Sequence, residues 1–139
     1  MKLNCKRIEI QEGEFSCSVT FYEKEQDDTI KLNHKSSLDQ FTKSIGPYLS
    51  INRTYPEDDF ETDYYYIELS DFDKSDEFKD VCIDLYSNKL MINFNNETFE
   101  IHFNIDALTY ENLIKILEQV TFQNGQVNVH VSTVRTEQN

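Results

Sequence analysis

At 139 residues the chain fits one domain, 1–139, and is too short for two ordinary ones. Its 38% hydrophobic content suffices for one core, and ten Phe and eight Tyr without Trp predict that large flat side chains fill much of it. With 26 acids against 13 bases the formal charge is −13, which disfavours nucleic acid and anionic membranes as partners and favours basic proteins.

In chain order, Leu3–Ile10 and Phe15–Glu23 read as two strands around the turn Gln11-Glu12-Gly13-Glu14. Phe15, Cys17, Val19 and Phe21 alternate with Ser16, Ser18, Thr20 and Tyr22, the period of a strand with one buried face. Thr29–Asn33 is a short candidate third strand. Ser37–Ile45 has the features of a helix: Ser37 as cap, Gln40 completing a capping box, and Leu38, Phe41, Ile45 and Leu49 near one face. Gly46-Pro47 ends it, because Pro cannot continue the hydrogen-bond ladder.

Strands resume at Tyr64–Ser70, Val81–Ser87, Lys89–Phe94 and Thr98–Ile105, the last two joined by a tight hairpin at Asn95-Asn96-Glu97. Phe99, Ile101, Phe103 and Ile105 share one face of their strand. Thr109 is the expected N-cap of a helix running to about Val120, with Leu108 and Leu113 as a hydrophobic staple and Tyr110, Leu113, Ile114 and Leu117 inward. Gly125 turns the chain into a last strand, Gln126–Val134. The expected fold class is therefore α+β: a mostly antiparallel sheet of six to seven strands, with two helices packed on one face.

The N-terminus has no apolar run of the secretory kind and nothing approaches a membrane span, so the expected location is the cytoplasm. Cys5, Cys17 and Cys82 are odd in number and lack C-x-x-C spacing, which argues against a disulfide framework and a zinc site; filling the core is their expected role. Without a secretory signal, the glycosylation patterns at Asn52 and Asn96 are read as chance matches.

The acidity is not spread evenly. Residues 1–56 hold 8 acids and 8 bases, residues 57–80 hold 11 acids and 2 bases, and residues 81–139 hold 7 acids and 3 bases. Two acidic loops flank the strand Tyr64–Ser70, with aromatics threaded through them. The candidate partner-binding residues are Glu57, Asp58, Asp59, Phe60, Glu61, Asp63, Tyr64, Tyr66, Asp71, Asp73, Asp76 and Glu77. Charges this dense repel one another, a cost that a bound basic partner relieves, and rigid aromatics beside them supply contact area. A solvated loop with Phe60 and Phe72 turned into the core would give the same pattern.

Motifs for chemistry are sparse. Asp71-Phe72-Asp73-Lys74-Ser75 opens like a calcium-binding EF-hand loop, but Asp76 stands where that loop needs Gly and Cys82 where it needs Glu. His102 and His130 lie on polar strand faces and would meet if their strands paired, with Glu100 or Asp84 as a further ligand. No Ser or Cys sits in a nucleophile signature, and three glycines make no phosphate cradle. No cofactor, no metal site and no enzymatic activity is expected.

In size, acidity and α+β pattern with an acidic, aromatic-rich loop region, the chain resembles bacterial toxin immunity proteins of the polymorphic and contact-dependent systems. That resemblance implies a cytoplasmic protein that acts by stoichiometric occlusion, covering the basic face of a cognate toxin, often a nuclease. It transfers no functional residues. A secretion chaperone or another acidic protein-binding module is the first alternative, although the chain opens with strands rather than a chaperone's helix. A mimic of nucleic acid is a related possibility, and a small metal-binding or enzymatic domain using His102 and His130 is the other alternative.

Overall fold

In the computed structural model, which describes residues 2–25, 45–58 and 61–130, the first expected strand is two short strands in different sheets. β1 (Lys2–Asn4) runs parallel to β9 (Glu97–His102), whereas β2 (Arg7–Glu12) runs antiparallel to β3 (Ser16–Tyr22). The switch takes one residue: the Cys5 N–H donates to the His102 carbonyl at 2.7 Å, and the Lys6 N–H to the Tyr22 carbonyl at 2.8 Å.

This switch corrects the expected α+β fold of one mostly antiparallel sheet under two helices, for the described residues are mostly strand. The described residues form two five-stranded sheets, and one helix, α1 (Ala107–Thr121), lies wholly within them. The remaining strands are β4 (Tyr48–Thr54), β5 (Tyr64–Leu69), the two-residue β6 (Asp76–Glu77), β7 (Val81–Leu85), β8 (Lys89–Phe94) and β10 (Gly125–Val129). The first sheet, ordered β1-β9-β8-β7-β10, is mixed, with its two outermost strands parallel to their neighbours. The second, β2-β3-β4-β5-β6, is antiparallel throughout. The expected strand Thr29–Asn33 and residues 37–44 of the expected first helix lie outside the described residues.

Each sheet has one apolar face, and both merge with α1 into one core. Val19, Phe21, Leu49, Ile51, Ile67 and Leu69 come from the second sheet, and Ile83, Leu85, Leu90, Ile92, Phe99 and Ile101 from the first. Rings join the two across the core: Tyr65 against Phe78 at 5.4 Å, Phe78 against Phe94 and Phe94 against Phe99, both at 6.4 Å. α1 contributes Leu113, Ile116, Leu117 and Val120, while Tyr110 and Ile114, expected inward, are only partly buried.

Several local expectations shift at the element ends. The N-cap of α1 is Asp106, not Thr109: its carboxylate accepts the Thr109 N–H at 2.7 Å, and Leu108 is left exposed rather than stapled to Leu113. That hydrogen bond to the charged form lowers the Asp106 pKa below the ordinary carboxylate value. A depressed pKa gives stability that is present above the unfolded value and lost as pH falls through the folded one. Asp106→Ala should therefore lower the melting temperature at neutral pH, and the deficit should close once the solution is acid enough to protonate the native carboxyl. The β8–β9 hairpin turns at Asn95 and Asn96, whose φ values of 52° and 63° are those of a two-residue primed turn, which Asn tolerates.

β10 begins at Gly125 because nothing larger fits. A Cβ there would lie 2.6 Å from Val81 Cγ1 and 2.9 Å from both Thr121 Cβ and the Val81 carbonyl oxygen. The strand lies parallel beside β7 with Gly125 opposite Val81, so the helix end and β7 enclose it. Gly125→Ala should cost about 1–3 kcal/mol by forcing these apart; the urea midpoint measures it.

Candidate functional site

The candidate residues group around β5. The first acidic loop ends where β5 begins: Glu57, Asp58 and Glu61 are exposed, Asp63 is half-buried, and the Glu57 N–H donates to the Glu61 carboxylate at 3.4 Å. Asp59 and Phe60 lie outside the described residues. Asp71 and Asp73, exposed in the short 3-10 turn region after β5, stand at its opposite end. Six residues of strand separate the two loops, roughly 20 Å at ~3.3 Å per residue. The stretch is continuous in sequence but is not one patch in space.

Asp76 and Glu77 return alongside β5, opposite Ile67 and Tyr66. The second loop is tied to the neighbouring hairpin, with Lys74 Nζ 3.7 Å from Glu97 and the Asn95 amide 3.4 Å from Asp76. Ser75 pins its base, its hydroxyl accepting the Leu69 N–H at 2.7 Å.

Tyr64 and Tyr66 point to the same outer face of the second sheet, because strand side chains alternate, and their rings stack at 6.1 Å and 15°. Tyr64 is 45% exposed and Tyr66 half-buried. Neighbouring strands extend this face with side chains of similar kind. Asn52 lies opposite Tyr66 and Thr54 opposite Tyr64; Ser50, opposite Glu68, bonds the Thr20 hydroxyl at 2.8 Å. At its far corner the Tyr48 hydroxyl donates to Glu68 at 2.9 Å, the Tyr22 ring lies 6.1 Å from Tyr48, and the Arg7 guanidinium sits 3.9 Å over Tyr22. Burial first, then the hydrogen bond to Glu68, pushes the Tyr48 hydroxyl well above its ordinary pKa. For Tyr64 the shift is also upward, through partial desolvation and then the negative charge of Glu77.

Where β5 starts, Arg53 joins three elements. Its side chain bonds the Asp63 carboxylate through Nε, donates from Nη1 to the Gln119 carbonyl at 2.9 Å, and lies 4.5 Å from the Phe122 ring and 4.9 Å from that of Tyr55. A cleft of about 640 Å³ opens beside it, walled by Thr62, Tyr65, Lys79, Phe122 and Asn124. Sequence reasoning missed Arg53, Tyr22, Tyr48 and Phe122. The alternation of Tyr48, Ser50 and Asn52 with Leu49 and Ile51 carried a signal for the second strand of this face.

His102 and His130 share the outer face of the first sheet, but β8 and β7 separate their strands. Each is held instead by a carboxylate of its own neighbourhood, His102 by Glu100 at 2.6 Å and His130 by Asp84 at 2.9 Å, the latter ring stacked 4.5 Å from Tyr86. The bond from His102 lowers the Glu100 pKa. Among the described residues no group of three or more His, Cys, Asp or Glu is arranged to hold a metal ion.

Cys5 and Cys17 are buried in the core as expected, and burial raises the Cys5 thiol to about 11, which keeps it protonated. Cys82 is only half-buried, on the outer face next to Asn128 and Asp84. Among the described residues no helix is long and apolar enough to cross a membrane. Comparison with protein-family models, curated proteins and solved structures finds no match to this chain.

Proposed function

We propose that the protein neutralises a basic partner protein by binding it, as a bacterial immunity protein does with its cognate toxin, and that its acidic, tyrosine-bearing sheet face is the instrument. The observation that carries this reading is the Tyr64–Tyr66 stack with exposed Glu77 and Asp76 alongside, on a sheet whose opposite face is in the core. Stacked tyrosines offer rigid amphipathic area at small entropic cost, and the carboxylates supply orientation and a fast on-rate toward a cationic surface. Occlusion requires no chemistry from the chain. A nuclease is a fitting target class, because a protein that binds polyanions presents the basic surface this face complements.

The test is co-expression with the product of the neighbouring gene, first shown to be toxic alone. Rescue of growth and co-purification in equal amounts are expected. A toxic neighbour that this chain neither rescues nor captures overturns the reading.

A further inference from the structure

We propose that β10 is a self-association edge: two copies of the chain pair antiparallel through it about a two-fold axis, joining their first sheets into one. This inference concerns the first sheet and is independent of the tyrosine-bearing face of the second.

Each sheet ends in two outermost strands, and three of the four carry features that keep an edge from pairing. β1 is three residues long and begins with Lys2, β2 carries Arg7, Glu9 and Glu12 among its six residues, and β6 is two residues, both acidic. Shortness and charge both discourage a second chain from adding to a row of open backbone groups. β10 has neither charge nor Pro: its sequence is Gly125-Gln126-Val127-Asn128-Val129. It lies inside the longest run of the chain without Asp, Glu, Lys or Arg, the 16 residues from Gln119 to Val134.

The backbone groups of successive strand residues point to alternate sides. The His130 N–H donates to the Leu85 carbonyl at 2.8 Å, and the Asn124 carbonyl accepts the Val81 N–H at 3.1 Å, so the even-numbered residues face β7. Gly125, Val127 and Val129 therefore aim their N–H and C=O groups at the other side, where among the described residues no strand pairs with β10. Val129 lies opposite the buried Leu85 on the apolar face of the sheet, yet it is 40% exposed. A neighbouring strand is what that face lacks there.

Charge selects the occupant. Two bodies of formal charge −13 repel wherever their acidic surfaces meet, and β10 is the outermost strand that brings no charged side chain to such a meeting. A two-fold axis at Val127 sets that residue against itself, Gly125 against Val129 and Asn128 against Gln126. The three open residues of each copy then exchange bonds as in an antiparallel ladder. Amide meets amide on the outer face, and Val129 covers a glycine that has no side chain of its own. The carboxylate one strand in, Asp84, is already held by His130 at 2.9 Å. A basic foreign segment is drawn to the acidic surfaces instead, whereas a second copy finds its match at this edge.

Sedimentation velocity of the intact protein, from about 5 µM to about 1 mM, should show a monomer passing to a dimer with Kd on the order of 100 µM, as suits a contact smaller than a stable dimer interface. Raising the salt from about 0.05 M to about 0.5 M should tighten it severalfold by screening the repulsion. Val129→Lys should weaken the dimer about tenfold although it reduces the net repulsion, because it charges the edge. Gln11→Lys, the same charge change on β2, should leave Kd within about twofold. In the intact protein, hydrogen exchange of the Val127 and Val129 amides should slow as concentration rises, and that of the Asn128 amide, already turned to β7, should change less. A monomer throughout the range overturns the proposal and leaves the edge to a foreign strand or to none. So does a dimer that the two lysine variants affect alike, and so do Val127 and Val129 amides that exchange equally fast at both ends of the range.

Discussion

Phe21→Ala should destabilise the protein by about 3–5 kcal/mol, read as a fall in the urea midpoint at unchanged slope. Phe21 is fully buried in β3, with Ile8 opposite it on β2 and Leu49 on β4, and α1 packs across β3 and β4. Truncation removes a ring from a site enclosed by two strands and a helix, which cannot collapse to fill the space. A chain of this size has a stability on the order of 10 kcal/mol, so the variant should still fold but melt roughly 10–20 °C lower. The matching control is Phe15→Ser. By sequence alternation Phe15 and Phe21 are equivalent, yet Phe15 is 71% exposed, and its replacement should change stability by no more than about 0.5 kcal/mol. Equal costs at the two positions would contradict the end of β3 at Ser16.

The contrast between these two phenylalanines shows what local pattern conveys and what it does not. Alternation identified the buried faces of β3 and β9, and Asn95-Asn96 marked its hairpin, because strand period and turn chemistry are local properties. Where a buried face stops depends on where neighbouring strands stop, so the exposure of Phe15 had no local signal. The division of the first strand was equally hidden: Cys5 and Lys6 contain no Gly or Pro, and only their distant partners, His102 and Tyr22, reveal the switch. Both parallel pairings also join residues far apart in sequence. β4 was obscured for another reason, since Leu49 falls at helical spacing from Ile45 as well as at strand spacing from Ile51. At the site, the acidic stretch was plain in the charge count. That β5 carries its two loops to opposite ends, and that Arg53 ties one of them to the end of α1 and Phe122, follows from sheet pairing and the placement of α1.

Arg53→Ala should cost about 2–3 kcal/mol, with Arg53→Lys recovering only a minor part. The side chain is mostly buried and bonds Asp63 and the Gln119 carbonyl while lying against Phe122 and Tyr55, so it connects the acidic loop, the helix end and the sheet at once. Lysine retains the charge but lacks the planar fork that bonds two acceptors while stacking on aromatic rings. Much of the loss in Arg53→Ala comes from Asp63, left partly buried beside other acids without its counter-charge. Asp63→Leu in the Arg53→Met background should therefore be less destabilising than Arg53→Met alone, and a double-mutant cycle by urea denaturation measures this coupling. Additive costs would show that the ion pair contributes little and that Arg53 acts through its aromatic contacts. The same variants separate scaffold from surface. Arg53 is committed to its own neighbours, so Arg53→Ala should weaken capture of a basic partner only by loosening Asp63 and Phe122, slowing association less than it speeds dissociation. Reversal of the exposed Asp76 and Glu77 beside the Tyr64–Tyr66 stack should act on association first, with a strong dependence on salt.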